Sequence, residues 1–137
     1  MNYDRLFCSI KKHEGKNNRM YRDGEGILTI GYGHNLETGE LRDEAIELIL
    51  QHDVEAAEQA VRSELPYFDE LSDLRRETLV EMVFNLGLPR FLGFKKMLAA
   101  LEVRDYAAAA REMLDSKWAR QVGKRAKTLA RQMRRGV

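Results

Sequence analysis

Two carboxylates set nine residues apart, Glu14 and Asp23, with Thr29 six residues further on, are the residue types that acid/base cleavage of an acetal requires. One carboxyl must carry a proton to the leaving oxygen. The other, ionised, steadies a water or a developing positive charge. The run Thr29-Ile30-Gly31-Tyr32-Gly33-His34 completes the stretch, with Gly31 and Gly33 alternating with Ile30 and Tyr32 along what reads as one strand. Glycine inside a strand weakens it and signals close approach by another backbone or a ligand. A sugar chain lying across that strand would need such relief. The Gly-x-Gly fragment is no dinucleotide motif, because the third glycine is absent.

The elements that must position these residues are legible. Asn2 is a good N-cap, Tyr3, Leu6, Phe7 and Ile10 repeat on one helical face, and Gly15 is a natural stop. Glu14 follows Ile10 by four residues and so continues the apolar stripe. A carboxyl held partly out of water at the negative end of a helix should resist ionisation, as a general acid must. A last-turn Glu that swings into solvent is the plainer alternative. Met20-Tyr21-Arg22 and Ile27-Leu28-Thr29-Ile30 read as two short strands around the turn Asp23-Gly24-Glu25-Gly26. An odd-numbered loop would place Asp23 and Thr29 on the same side of the hairpin. A wet turn would keep Asp23 ionised, although Asp-Gly also forms simple Asx turns.

A chain of 137 residues, 44% hydrophobic and 33% charged, is expected to form one soluble domain, or one domain with two lobes. A single cysteine, Cys8, excludes an internal disulfide and reads as a buried, inert thiol beside the apolar stripe. Asp4, Lys11 and Lys12 interrupt any signal-peptide pattern, and no run is long enough to span a membrane, so synthesis in a reducing cytoplasm is expected. Neither a metal nor a cofactor is expected. Charge is uneven: residues 1–115 hold 15 Lys/Arg against 22 Asp/Glu, whereas 116–137 hold 8 Lys/Arg and no acid. Trp118, Leu129, Ala130 and Met133 run through that basic tail at roughly helical spacing. It reads as an amphipathic helix able to meet a membrane surface or an acidic polymer, or as a docked helix with a solvated face. No docking motif points to a specific nucleic acid.

Beyond the first stretch, the spacing predicts a long helix over about 41–65, with Leu41, Ala45, Leu48, Ile49, Ala57 and Val61 on its apolar side and Pro66 as its stop. Ser72 is a plausible N-cap for the next helix, whose face is Leu74, Thr78, Leu79, Met82, Val83 and Leu86. Gly87 and Pro89 should end it, followed by a short turn and helices near 94–101, 105–114 and 124–134.

Nearly the whole chain resembles the phage-type lysozymes, glycoside hydrolase family 24. The resemblance rests on Glu14, Asp23 and Thr29, on Met82-Val83-Phe84-Asn85-Leu86-Gly87, on Ser116-Lys117-Trp118-Ala119-Arg120-Gln121, and on Lys124-Arg125-Ala126-Lys127. It implies a mostly helical α+β fold: a small N-terminal α/β lobe (about 13–45), a connecting helix (about 41–65) and a larger helical lobe (about 66–137) on which helix 2–14 packs. It implies Glu14 as proton donor, Asp23 assisting the attacking water or the developing charge, and Thr29 positioning water, with inversion and carboxyls about 6.5–9.5 Å apart. Phe84, Asn85, Gln121 and Arg125 would line the sugar cleft, Arg125 approaching Glu14, and His34 and Asp53 would form a structural ion pair. Asn35 stands at a sugar-contacting position, while Met97 and Glu112 replace polar cleft residues. The interval from His34 to Asp53 is shorter than in the T-even phage members, so the small lobe lacks an inserted segment. Two functions then compete. One is a monomeric muramidase acting on peptidoglycan, released to the wall through a membrane pore. The other is a scaffold that binds wall without cutting it. Retention of all three catalytic residue types favours the first.

Overall fold

In the computed structural model, which describes Met1–Val137, the chain divides into two units, Met1–Ile46 and Glu47–Val137. The first opens with α1 (Tyr3–Glu14). Asn2 Oδ1 accepts the Arg5 N–H at 2.9 Å, and Gly15, at φ 72°, turns its N–H back to the Lys11 carbonyl at 3.0 Å. Both caps satisfy groups that a helix end otherwise leaves open. Three antiparallel strands follow, β1 (Asn17–Arg22), β2 (Leu28–Gly31) and β3 (His34–Asn35), in sheet order β1-β2-β3.

The register pairs Arg22 with Leu28 and Tyr21 with Thr29. Asp23 N–H reaches the Ile27 carbonyl at 3.0 Å, so three residues, 24–26, form the turn. The odd loop that would bring Asp23 and Thr29 to one side is therefore present. The glycine stretch departs from expectation. It is not one strand, because the chain reverses at Tyr32-Gly33 and pairs Ile30 with His34. Gly31 and Gly33 sit at φ 68° and 77°, a backbone region that glycine enters at no steric cost. Alternation of small and large residues was a strand signal here, and the turn demanded by positive φ overrode it.

No residue of α1 is buried, and Thr29 is the one buried residue of the first unit. Cys8 is accordingly exposed, which corrects the expectation of a buried thiol.

From Asp43 to Glu64 the chain forms α2, 22 residues and so about 33 Å long. Only its second half packs: Ala57 and Val61 are buried, whereas Leu48 and Ile49, expected on the same stripe, are about half exposed. The second unit continues through a 3-10 turn (Phe68–Glu70), α3 (Asp73–Leu86), α4 (Leu88–Leu92), α5 (Lys95–Glu102), α6 (Tyr106–Leu114), α7 (Lys117–Val122) and α8 (Lys124–Arg135). The α+β, mostly helical fold is thus as expected. Three details differ. Ser72 flanks α3 without a side-chain capping bond. Pro89 opens α4 instead of merely ending α3, because a first-turn proline gives up no helical hydrogen bond. The unpredicted α7 is six residues long, too short for a periodic signal, and is started by Ser116 Oγ accepting the Ala119 N–H at 3.0 Å.

One hydrophobic cluster holds this unit together. Phe68, Leu79, Met82, Phe91, Met97, Leu101, Met113, Leu129 and Met133 are essentially inaccessible. Arg75 closes the end of α8 by donating from Nε to the Met133 carbonyl at 2.8 Å, with its guanidinium 3.5 Å from the centre of the Tyr106 ring. No helix of the chain is long and apolar enough to cross a membrane.

Candidate active site

Glu14, Asp23 and Thr29 all lie in the first unit, and each is held by a different local device. Glu14 is the last residue of α1, exposed, with its carboxyl laid against Gly33. A Cβ added at Gly33 would stand 2.9 Å from Glu14 Oε2 and 3.2 Å from Cδ. The close approach expected at a glycine is real at Gly33, and what approaches is the Glu14 carboxyl. At Gly31 the corresponding space is open. A second contact ties the same helix end to the same turn: Lys11 Nζ stands 5.6 Å from the centre of the Tyr32 ring. Burial of Glu14 along an apolar stripe, expected from its spacing, is not seen, because the stripe itself is exposed.

Asp23 stands at the first corner of the β1–β2 turn. Its Oδ1 accepts the N–H of Glu25 at 2.8 Å and of Ile27 at 3.0 Å. This is the Asx turn of the plainer reading, and it leaves Oδ2 for other work. Arg22 steadies the turn from outside, donating from Nη1 to the Gly26 carbonyl at 2.9 Å while standing 3.8 Å from Glu37 Oε1. Glu37 also accepts the Leu28 N–H at 3.3 Å. Sequence reasoning missed Glu37, which sits in a loop with no periodicity to mark it. Thr29, only 3% exposed, donates its hydroxyl proton to the Ile27 carbonyl at 2.8 Å. With that proton committed, Thr29 Oγ1 can only accept.

The other residues named by resemblance fall into distinct settings. Asn35, on β3, uses Oδ1 to accept the N–H groups of Glu37 and Thr38 at 2.8 and 3.0 Å. His34 is half-buried, and its Nε2 is buried without a hydrogen-bond partner, close above Gly39. Asp53 is exposed on α2. In the second unit Phe84 and Arg125 share the wall of a groove of about 480 Å³ with Leu50, Val54, Val80 and Glu81. Arg125 donates from Nε to Glu81 Oε1 at 2.9 Å, a partner the sequence did not announce. Asn85 Oδ1 accepts the Trp118 indole N–H at 2.8 Å, which fixes the amide and leaves its NH2 group to donate elsewhere. Gln121 Oε1 accepts from Arg90 at 3.4 Å. Met97, buried at the floor, and Glu112 line a separate groove with Asp115 and Lys117.

The family profile described as phage lysozyme matches residues 11–136. Among curated proteins, a probable T4-type lysozyme of Dictyostelium discoideum is 28% identical over 145 residues, covering 85% of each chain. An endolysin of Acyrthosiphon pisum secondary endosymbiont phage 1 is 29% identical over 119 residues, covering 85% of this chain and 80% of its own. The endolysin of Salmonella phage P22 is 29% identical over 110 residues, covering 74% and 73%.

Proposed function

This chain belongs to the phage lysozyme family and is a glycoside hydrolase acting on peptidoglycan, and from that premise we propose the bond and the mechanism. The bond is the β-1,4 linkage from N-acetylmuramic acid to N-acetylglucosamine, broken with inversion at the anomeric carbon. Glu14 donates the proton to the leaving oxygen. Water attacks from the opposite face with a lone pair on the sugar carbon. One of its hydrogens is bonded to Asp23 Oδ2, which takes that proton as the new C–O bond forms, and the other is hydrogen-bonded to Thr29 Oγ1 and stays on the product hydroxyl. The observation that carries this reading is the pairing of two engaged groups on one hairpin. Asp23 has one oxygen tied to the turn and one spare, and Thr29 has its proton already committed to Ile27.

Phe84, Asn85, Gln121 and Arg125, with Asn35, are proposed to contact the glycan. Phe84 is 43% exposed and offers an apolar face to a sugar ring, while the Asn85 NH2 group is free to donate. His34 and Asp53 are proposed as a structural ion pair. The role is lysis of a host cell, the enzyme reaching the wall through a membrane pore, as a monomer.

The stereochemistry of the first product decides the mechanism. A water attack on a β-linked substrate releases the α-anomer, whereas a glycosyl-enzyme needs carboxyls only about 5–5.5 Å apart and returns the β-anomer. Early NMR spectra dominated by β-anomer would end the water-attack reading.

A further inference from the structure

The helices α6 and α8 run beside one another and leave a groove of about 640 Å³, lined by Ala107, Ala110, Leu114 and Ala130 and flanked by five cations. These are Arg111 from α6 and Lys127, Arg131, Arg134 and Arg135 from α8, all exposed. None of them takes part in an ion pair, although the chain has several elsewhere. No acidic residue lines the groove. Five uncompensated cations around one concavity are an anion site in search of a ligand.

We propose that this groove binds a linear phosphodiester polymer that carries no bases, such as a polyol-phosphate chain. Three features select that class. Four of the five cations are arginines, whose planar forks match phosphate oxygens in pairs. Positions 127, 131, 134 and 135 follow one face of α8, spreading charge along about 12 Å, the reach of a chain and not of one phosphate. No aromatic side chain lines the groove to stack a base, which disfavours single-stranded nucleic acid. A lipid surface is disfavoured as well. Insertion needs an apolar face, and the apolar residues of α8, Ala126, Leu129, Ala130 and Met133, are buried in the core. The site's chemistry stands on this charge geometry alone. Its use, holding the enzyme on a phosphate-bearing wall while cleavage proceeds, rests on the lysozyme reading.

The test is fluorescence anisotropy of the full chain with labelled poly(glycerol phosphate) between about 50 and 200 mM salt. Wild type binds. The triple variant R111Q/R131Q/R135Q binds at least about tenfold more weakly at the low end, and its log–log salt dependence is shallower by about 2, since each lost phosphate contact is worth about 0.7. The double variant K95Q/K96Q, which removes exposed cations from a different groove, binds as wild type does. No binding by wild type, an equal loss in K95Q/K96Q, or equal affinity for polyglutamate, for single-stranded polynucleotide or for anionic vesicles would each overturn the proposal. Hydrolysis of peptidoglycan stripped of phosphate polymer is expected to be unchanged in the triple variant. If wild type fails to cleave that substrate, the lysozyme reading falls while the binding result stands by itself.

Discussion

The two units divide labour unequally. All the hydrophobic residues that are truly buried, from Ala57 to Met133, belong to the second, whereas the first buries only Thr29. Yet the first contains Glu14, Asp23 and Thr29. Its shape is held by caps, tight turns and short polar contacts: Asn2 on Arg5, Gly15 on Lys11, Asp23 on Glu25 and Ile27, and Glu14 against Gly33. Such contacts fix direction well but contribute only about 1 kcal/mol each. Hydrophobic burial in the second unit contributes far more per residue and fixes far less about where a carboxyl points. Precision and stability therefore come from different parts of the chain, and substitutions can separate them.

The largest separation should come from Glu14→Gln. The amide keeps the size of the carboxyl but carries no proton to give, and general acid catalysis is worth about 10²–10⁴-fold. Because Glu14 is exposed and buries nothing, the thermal midpoint should not move. Turbidity loss of purified cell walls, followed beside a melting curve, measures both. Lysis within a factor of two of wild type would remove Glu14 from the chemistry.

The converse is Met82→Ala, at a fully inaccessible position in α3. Removing those atoms from a packed core costs about 2–5 kcal/mol. Denaturant titration should show that loss, while the rate per folded molecule well below the transition stays near wild type. A large fall in that rate at unchanged stability would mean that the second unit directs the catalytic residues more closely than its chemistry implies.

Much of this division was legible in the sequence. Long periodic segments announced α2, α3 and α8, since burial of a helical stripe repeats every three or four residues, and α1 was announced by its apolar spacing and its caps although none of it is buried. The hairpin was legible through Asp23-Gly24-Glu25-Gly26, because turns have their own residue chemistry. Three things were not. Leu48 and Ile49 look as apolar as Ala57 and Val61, and nothing in spacing tells which half of α2 will be covered. Tyr32-Gly33 was hidden inside a strand-like alternation. The partners Glu81 of Arg125 and Trp118 of Asn85 come from distant positions, and pairings across 44 and 33 residues leave no local trace.

A smaller effect tests whether Gly33 seats the acid. Gly31 and Gly33 both have positive φ, so alanine at either should cost about 1–2 kcal/mol of backbone strain. Only at Gly33 would the new Cβ meet Glu14, at 2.9 Å from Oε2, while nothing lies within 4 Å at Gly31. Gly33→Ala should therefore lose activity beyond its stability cost, approaching the roughly 10²-fold that a displacement of about 1 Å can exact. Gly31→Ala should lose stability alone. Equal specific activities in the two variants would show that Glu14 is aimed by something other than this turn.

The smallest expected effect belongs to the second unit and to alkaline solution. Tyr67, half-buried beside the 3-10 turn, has its phenol pKa raised above the ordinary 10.0, first by burial and then by the negative charge of Glu102. The folded state therefore keeps its phenolic proton at pH values where the unfolded chain has begun to lose it. That contribution to stability is complete below pH about 10 and is lost as pH climbs through the raised folded value. Tyr67→Phe has no proton to lose, so its stability should decline less steeply on the alkaline side, with little change near neutrality beyond the missing hydroxyl. Urea midpoints compared at neutral pH and on either side of pH 10 read this directly. Parallel alkaline limbs in the two proteins would assign the loss to other groups. A difference confined to the alkaline limb, with wall lysis at neutral pH untouched, would place Tyr67 wholly on the side of stability.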